Sequence, residues 1–194
     1  MALEIERRFL VQGLDWRRHI CWQAQLQQGY LVASADGFTV RVRSASGDEA
    51  VAGAWLTLKA RSDQRFEAES PGLLPEGLVR QEFEYAIPEA DAAALLALAP
   101  QRLCKVRYGL DLPGGEWVLD VFEGANAPLV VAEVELELQG LEQGLALQPP
   151  AWCGRELTGR HELSNAALAH HPLADWPERL RQQLLAGDPA WADA

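Results

Sequence analysis

A chain of 194 residues with 48% hydrophobic and 23% charged positions is long enough to bury a core and has an ordinary globular composition. Its formal net charge of -11 and pI near 4.8 oppose the phosphate backbone of a duplex, which argues against sequence-independent nucleic-acid binding. Three widely spaced cysteines, Cys21, Cys104 and Cys153, form no CxxC pair and so suggest neither a disulfide framework nor a zinc site.

No basic start leads into an apolar run, and no stretch has the uninterrupted apolar length that spans a bilayer. A cytoplasmic protein without a membrane partner is therefore expected. In chain order, charged and apolar residues first alternate over 3–11, the period of a strand with two differently treated faces. Further strands are predicted at 30–32, 38–43 and 54–60, with turn-rich gaps at 35–37 and 44–53 that read as hairpins. Residues 62–79 carry Ser70-Pro71-Gly72 and Pro75-Glu76-Gly77, so an extended loop acting as a lid or insertion is expected there. A strand at 80–87 follows. Pro88, Glu89 and Asp91 then open an Ala/Leu helix that ends before Pro100. Strands at 103–110, 116–122 and 130–138 bring the total to about eight. Helices are predicted at 164–169, with Ser164 as cap, and at 174–186, where Leu180, Leu184 and Leu185 fall at helical spacing.

The repeated charges recur at i and i+2, which places them on one face of each strand. Glu4, Glu6 and Arg8 do so, as do Arg41 with Arg43, Lys59 with Arg61, Glu82 with Glu84, Lys105 with Arg107, and Glu133 with Glu135 and Glu137. One such strand is ordinarily a wet outer face. Read together, the clusters mostly carry one dominant sign each, opposite signs come from different strands, and the only two lysines among 17 basic residues, Lys59 and Lys105, both fall inside them. The pattern fits a closed or nearly closed antiparallel barrel with a charged lumen and an apolar exterior covered by helices. Such a lumen offers cations to a polyanion and carboxylates to magnesium or manganese, the ingredients of phosphoryl transfer.

From Leu3 to about Ala169 the residues resemble the CYTH family, the triphosphate tunnel metalloenzymes. The resemblance rests on ordered motifs. Glu4-Ile5-Glu6-Arg7-Arg8 matches the ExExK opening, followed by Gln28-Gly29-Tyr30-Leu31, Val40-Arg41-Val42-Arg43 and Leu56-Thr57-Leu58-Lys59. Arg80-Gln81-Glu82-Phe83-Glu84-Tyr85, Lys105-Val106-Arg107, Trp117 to Gly124, Ala132-Glu133-Val134-Glu135-Leu136 and Gly154 to Gly159 complete the set. The family implies a mainly β (α+β) fold, an eight-stranded antiparallel closed barrel or tunnel with a few peripheral helices. Residues 1–170 would form this domain, with 171–194 adding a helix that packs on it.

The resemblance further implies hydrolysis of a small-molecule triphosphate with Mg2+ or Mn2+. Glu4, Glu6, Asp120, Glu133 and Glu135 would hold metal. Arg8, Arg41, Arg43, Lys59, Arg61, Lys105 and Arg107 would bind phosphate, Glu82 and Glu84 would line the tunnel, and Lys59, Lys105 and Tyr30 would assist the chemistry. Inorganic tripolyphosphate ranks first as substrate. Thiamine or nucleoside triphosphate, a class IV-type adenylyl cyclase and a non-catalytic polyphosphate-binding module are the alternatives, in a monomer or homodimer. Arg8 departs from the family lysine, exchanging a point donor for a planar fork. The segment before Asn165 lacks the family's tyrosine. His170-His171 reads as a helix end, the seven tryptophans as packing residues, and Asp111 and Glu116 as surface charges beside a hairpin.

Overall fold

The computed structural model describes residues 3–34, 37–61, 79–136, 144 and 146–188, with side chains described except at positions 3, 4, 61, 79 and 80. The expectations for the loop at 62–78 and for Glu137 and Leu138 lie outside these residues. The described chain is dominated by one antiparallel sheet with few helices. Its strands are β1 (Leu3–Val11), β2 (Ile20–Ala33), β3 (Thr39–Gly47), β4 (Gly53–Arg61), β5 (Val79–Ala86), β6 (Gln101–Leu110), β7 (Glu116–Phe122), β8 (Val130–Glu135) and β9 (Cys153–Glu156). Helices α1 (Glu89–Leu98), α2 (Asn165–His170) and α3 (Glu178–Leu185) accompany them. No helix among the described residues is long and apolar enough to cross a membrane.

The hydrogen-bonded order is β5-β4-β3-β2-β6-β7-β8-β1-β9. The expectation of eight strands in a closed barrel needs correction on both counts. The sheet has nine strands, and β5 returns to β1 over only three residue pairs, Leu3 with Gln81, Glu4 with Arg80 and Ile5 with Val79. The far end of that β1 edge is taken instead by β9, through Phe9 with Glu156 and Val11 with Cys153, so the sheet is not closed along its length. The sequence hides β9 because four residues are too few to show a period. It also hides the first two-thirds of β2, whose uncharged Ile20 to Gln28 lacks the alternation of charge that marks the other strands.

The helices take different places from the expected outer jacket. Helix α1 does lie outside, where Ala92, Leu95 and Leu96 pack on Val42 and Ala54. Gly29 permits this approach, since a Cβ there would stand 2.7 Å from the Cβ of Ala99. By contrast, Leu168 of α2 and Leu184 of α3 join Leu10, Tyr30, Leu103, Phe122 and Val131 in one buried cluster. By strand alternation these last five share the inward face with Arg8, Lys105, Asp120 and Glu133. Helices α2 and α3 therefore plug one end of the lumen. Outside β1, β7 and β8, a second cluster of Phe9, Trp117, Leu119, Val134 and Trp152 forms the main outer core.

Candidate active site

A cavity of about 540 Å³ opens on the inward face of the sheet. Of the side chains expected to form the site, Glu6, Arg8, Tyr30, Arg41, Arg43, Lys59, Glu82, Glu84, Arg107, Glu133 and Glu135 line it. Glu4 and Arg61 fall on β1 and β4, with side chains outside those described. Lys105 and Asp120 are both fully buried and do not reach the cavity surface.

Two ion networks organise the wall. On one side Arg41 donates to Thr57 Oγ1 at 3.2 Å and lies 3.6 Å from both Glu82 and Glu84. Arg43 meets Glu84 at 2.7 Å and Lys59 meets Glu82 at 3.2 Å. The register explains the pairing, because Lys59 lies directly opposite Glu82, and Thr57 opposite both Arg41 and Glu84. Burial pushes the Arg43 guanidinium down to about 10, and the neighbouring Arg41 charge adds to the effect.

On the other side Asp120 accepts from Lys105 Nζ at 2.5 Å and from Arg107 Nε and a terminal nitrogen, both at 2.7 Å. Arg107 also reaches Glu133 at 2.7 Å. Arg8 reaches Glu133 at 3.2 Å and donates to the Leu163 carbonyl at 2.9 Å. Lys105 completes its shell with Asn165 Oδ1 at 3.0 Å, tying the start of α2 to the sheet. Burial works to raise the Asp120 carboxyl, but the Arg107 and Lys105 charges outweigh it and hold the group well below the usual range. Lys105 behaves oppositely. Burial pushes it down to about 8 because it faces one carboxylate at contact but also the like charge of Arg107. Burial and Asp120 raise Glu133, yet the surrounding cations leave it lowered on balance.

Several lining residues escaped the sequence reading. Glu116, expected as a surface charge beside a hairpin, lines the cavity opposite Glu135, which in turn stands opposite Glu6. Its parity with Asp120, four residues on, was the available signal. Trp55 shares parity with Lys59 and also faces inward, under the Arg43 guanidinium at 4.7 Å. Trp22, Trp55 and Val51 pack with Ala24, Leu26 and Ala45 into an apolar cluster that lines the end of the cavity opposite the helical plug. Two tryptophans expected simply as packing residues thus border the site.

Comparison with known proteins gives this geometry a family. The chain is 31% identical over 181 residues to an inorganic triphosphatase of Acetivibrio thermocellus, covering 92% of this chain and 100% of that one. It is 36% identical over 169 residues to an inorganic triphosphatase of Nitrosomonas europaea, covering 86% and 96% respectively. A crystal structure of an inorganic triphosphatase superposes with a TM-score of 0.56 at 32% identity, over 87% of this chain and 95% of the other. A Pyrococcus horikoshii protein shares the fold at a TM-score of 0.53 and 18% identity, over 74% of this chain and 84% of its own. The CYTH domain model matches residues 2–147. With its motifs, its sheet and three-quarters of its length in agreement, the chain belongs to the CYTH domain family.

Proposed function

We propose that this protein hydrolyses inorganic tripolyphosphate to pyrophosphate and orthophosphate with a divalent cation, in the cavity on the inward face of its sheet. The observation that carries the reading is the concentration of Arg8, Arg41, Arg43, Lys59 and Arg107 on the wall of one cavity, beside the carboxylates of β1, β5 and β8. The names of the two bacterial relatives support the substrate.

Among the described residues no three Asp, Glu, His or Cys side chains come together closely enough to hold a metal ion. The donor chemistry nonetheless fits Mg2+ or Mn2+, which are commonly held by one or two carboxylates and the substrate's own oxygens. Glu6 and Glu135 supply that pair from directly opposed positions, an arrangement of like charges that favours a cation beside it. Glu133, which lines the same cavity, and Glu4, two residues before Glu6 on β1, complete the proposed set. The bound cation would supply charge neutralisation at the phosphate oxygens and lower the pKa of a coordinated water.

The chain's own residues then account for the rest. Arg41, Arg43 and Lys59 exchange Glu82 and Glu84 for phosphate oxygens, so these two carboxylates keep the cations oriented until substrate binds. Arg107, held by Asp120 and Glu133, presents a fixed guanidinium to the chain. Asp120 and Lys105 act as positioning residues, because neither reaches the cavity. Water adds to a terminal phosphorus, the bridging P–O bond breaks, and pyrophosphate leaves with its charge stabilised by the same cations. Tyr30 and Lys59 line the cavity where they can contact the reacting phosphate.

The test is phosphate release from tripolyphosphate, thiamine triphosphate and ATP under magnesium, manganese and EDTA. Orthophosphate from tripolyphosphate, lost in EDTA and lost in Glu6→Gln, is expected. Cyclic AMP from ATP would instead indicate a cyclase, and full turnover by Glu6→Gln at saturating manganese would sink the metal assignment.

A further inference from the structure

On β3 and β6 the inward face is charged over a short span only. On β6 the residues Lys105 and Arg107 stand between Leu103, part of the helical plug, and Gly109. On β3 the pair Arg41 and Arg43 precedes Ala45. Each charged pair covers two residues of strand, about 7 Å at the usual rise. One end of this span is closed by Leu10, Leu103, Phe122 and Leu168. The other end is bordered by Trp22, Ala24, Leu26, Ala45, Val51 and Trp55.

Trp22 reaches that position through a specific device. It lies directly opposite Gly109, and a Cβ on Gly109 would come within 2.0 Å of the Trp22 indole nitrogen. The glycine lets the indole lie across its backbone. Trp55 sits beneath Arg43, the last cation of β3 before Ala45, while Arg107, opposite Ala24, is the last cation of β6. Glu116 lines the same end, at the start of β7. An anion moved past Arg43 and Arg107 would exchange water for indole and methyl groups beside a carboxylate.

We propose that Trp22, Val51 and Trp55 form an apolar collar that limits the substrate to a chain of three phosphates by denying a fourth a charged partner. The proposal rests on the polyphosphate reading of the site. The plug closes the end at Leu10, Leu103 and Phe122, and the proposal sends an extra phosphate into the collar.

Binding of tripolyphosphate and tetrapolyphosphate, measured by calorimetry in EDTA so that no turnover intervenes, tests the collar separately from catalysis. Wild-type protein is expected to bind tripolyphosphate at least tenfold more tightly. Val51→Lys and Trp22→Arg, which place a cation in the collar, should each move that ratio about tenfold toward tetrapolyphosphate. Val51 lies in the short 3-10 helix Glu49–Val51, outside the strands, so its variant keeps the test open if Trp22→Arg fails to fold. Equal binding of the two chains by wild type, or a ratio unmoved in a folded Val51→Lys protein, overturns the proposal. Selective binding without phosphate release in magnesium or manganese would overturn the hydrolase reading and support the collar. Binding of neither chain, with or without magnesium, overturns both.

Discussion

Replacing Asp120 with asparagine tests the buried charge network most directly. The carboxylate is fully buried and accepts hydrogen bonds from Lys105 and Arg107 at 2.5 to 2.7 Å. Removing one partner of a buried ion pair typically costs about 3–5 kcal/mol, because the remaining charge stays desolvated. Two features place this case near the low end. Arg107 keeps Glu133 at 2.7 Å, and Lys105, already pushed down to about 8, can shed its proton once the Asp120 charge is gone. A loss of about 3 kcal/mol is expected at pH 7, or roughly 6–12 °C in Tm for a domain of this size. The pH dependence carries a sign. The lysine pKa falls further in Asp120→Asn, so between that lower value and about 8 the folded variant binds fewer protons than the folded wild type. Its deficit therefore shrinks as pH rises through this window. At the acid end the folded Asp120 pKa is depressed below its unfolded value. Its stabilisation is present above the unfolded pKa near 3.9 and lost as pH falls through the folded one, so the deficit shrinks there too. Urea unfolding followed by tryptophan fluorescence from pH 3 to 9 measures the loss at pH 7, its decline toward alkaline pH and the onset of its decline below pH 4. A variant within about 0.5 kcal/mol of wild type at pH 7, or a deficit flat with pH, would refute the reasoning.

Other expectations are narrower. Arg41→Ala and Arg43→Ala should each lower kcat/KM for tripolyphosphate about 10- to 100-fold, the worth of a hydrogen bond to a charged group; unchanged steady-state kinetics would remove them from the site. Arg8→Lys should lose the bond to the Leu163 carbonyl and about 1–2 kcal/mol of stability, read as a shift in urea midpoint. Gly29→Ala should cost about 1–3 kcal/mol by forcing α1 away from the sheet, which a thermal melt would report. Two exposed thiols, Cys21 and Cys104, should react with Ellman's reagent in the folded protein, Cys104 slowly because burial and the Glu123 charge raise its pKa, while Cys153 reacts only on unfolding, since burial pushes its pKa up to about 12.

Much of the site was legible in the residues themselves. A strand repeats every two residues, so once Lys59 or Asp120 is assigned to the inward face, its neighbours at even spacing follow, and the charged lumen can be assembled from the residues alone. The same rule, carried two steps further, would have delivered Trp55 from Lys59 and Glu116 from Asp120. Both were set aside because a tryptophan or a glutamate beside a turn is usually packing or surface.

Depth and long-range pairing were not legible. Lys105 and Arg107 have the same local pattern, yet Arg107 lines the cavity and Lys105 lies behind it, because α2 brings Asn165 over one and not the other. The chain places Asn165 sixty residues from Lys105, and no local period encodes that contact. The sharing of one β1 edge between β5 and β9 is likewise a competition among distant strands, decided by which backbone groups remain unpaired when the sheet folds round. In the strands whose charges alternate, the sequence by itself determined which side chains point inward, since that depends only on backbone pleat. The tertiary structure decided how far inward they reach and what bounds them, because burial is set by elements that meet only in the folded chain.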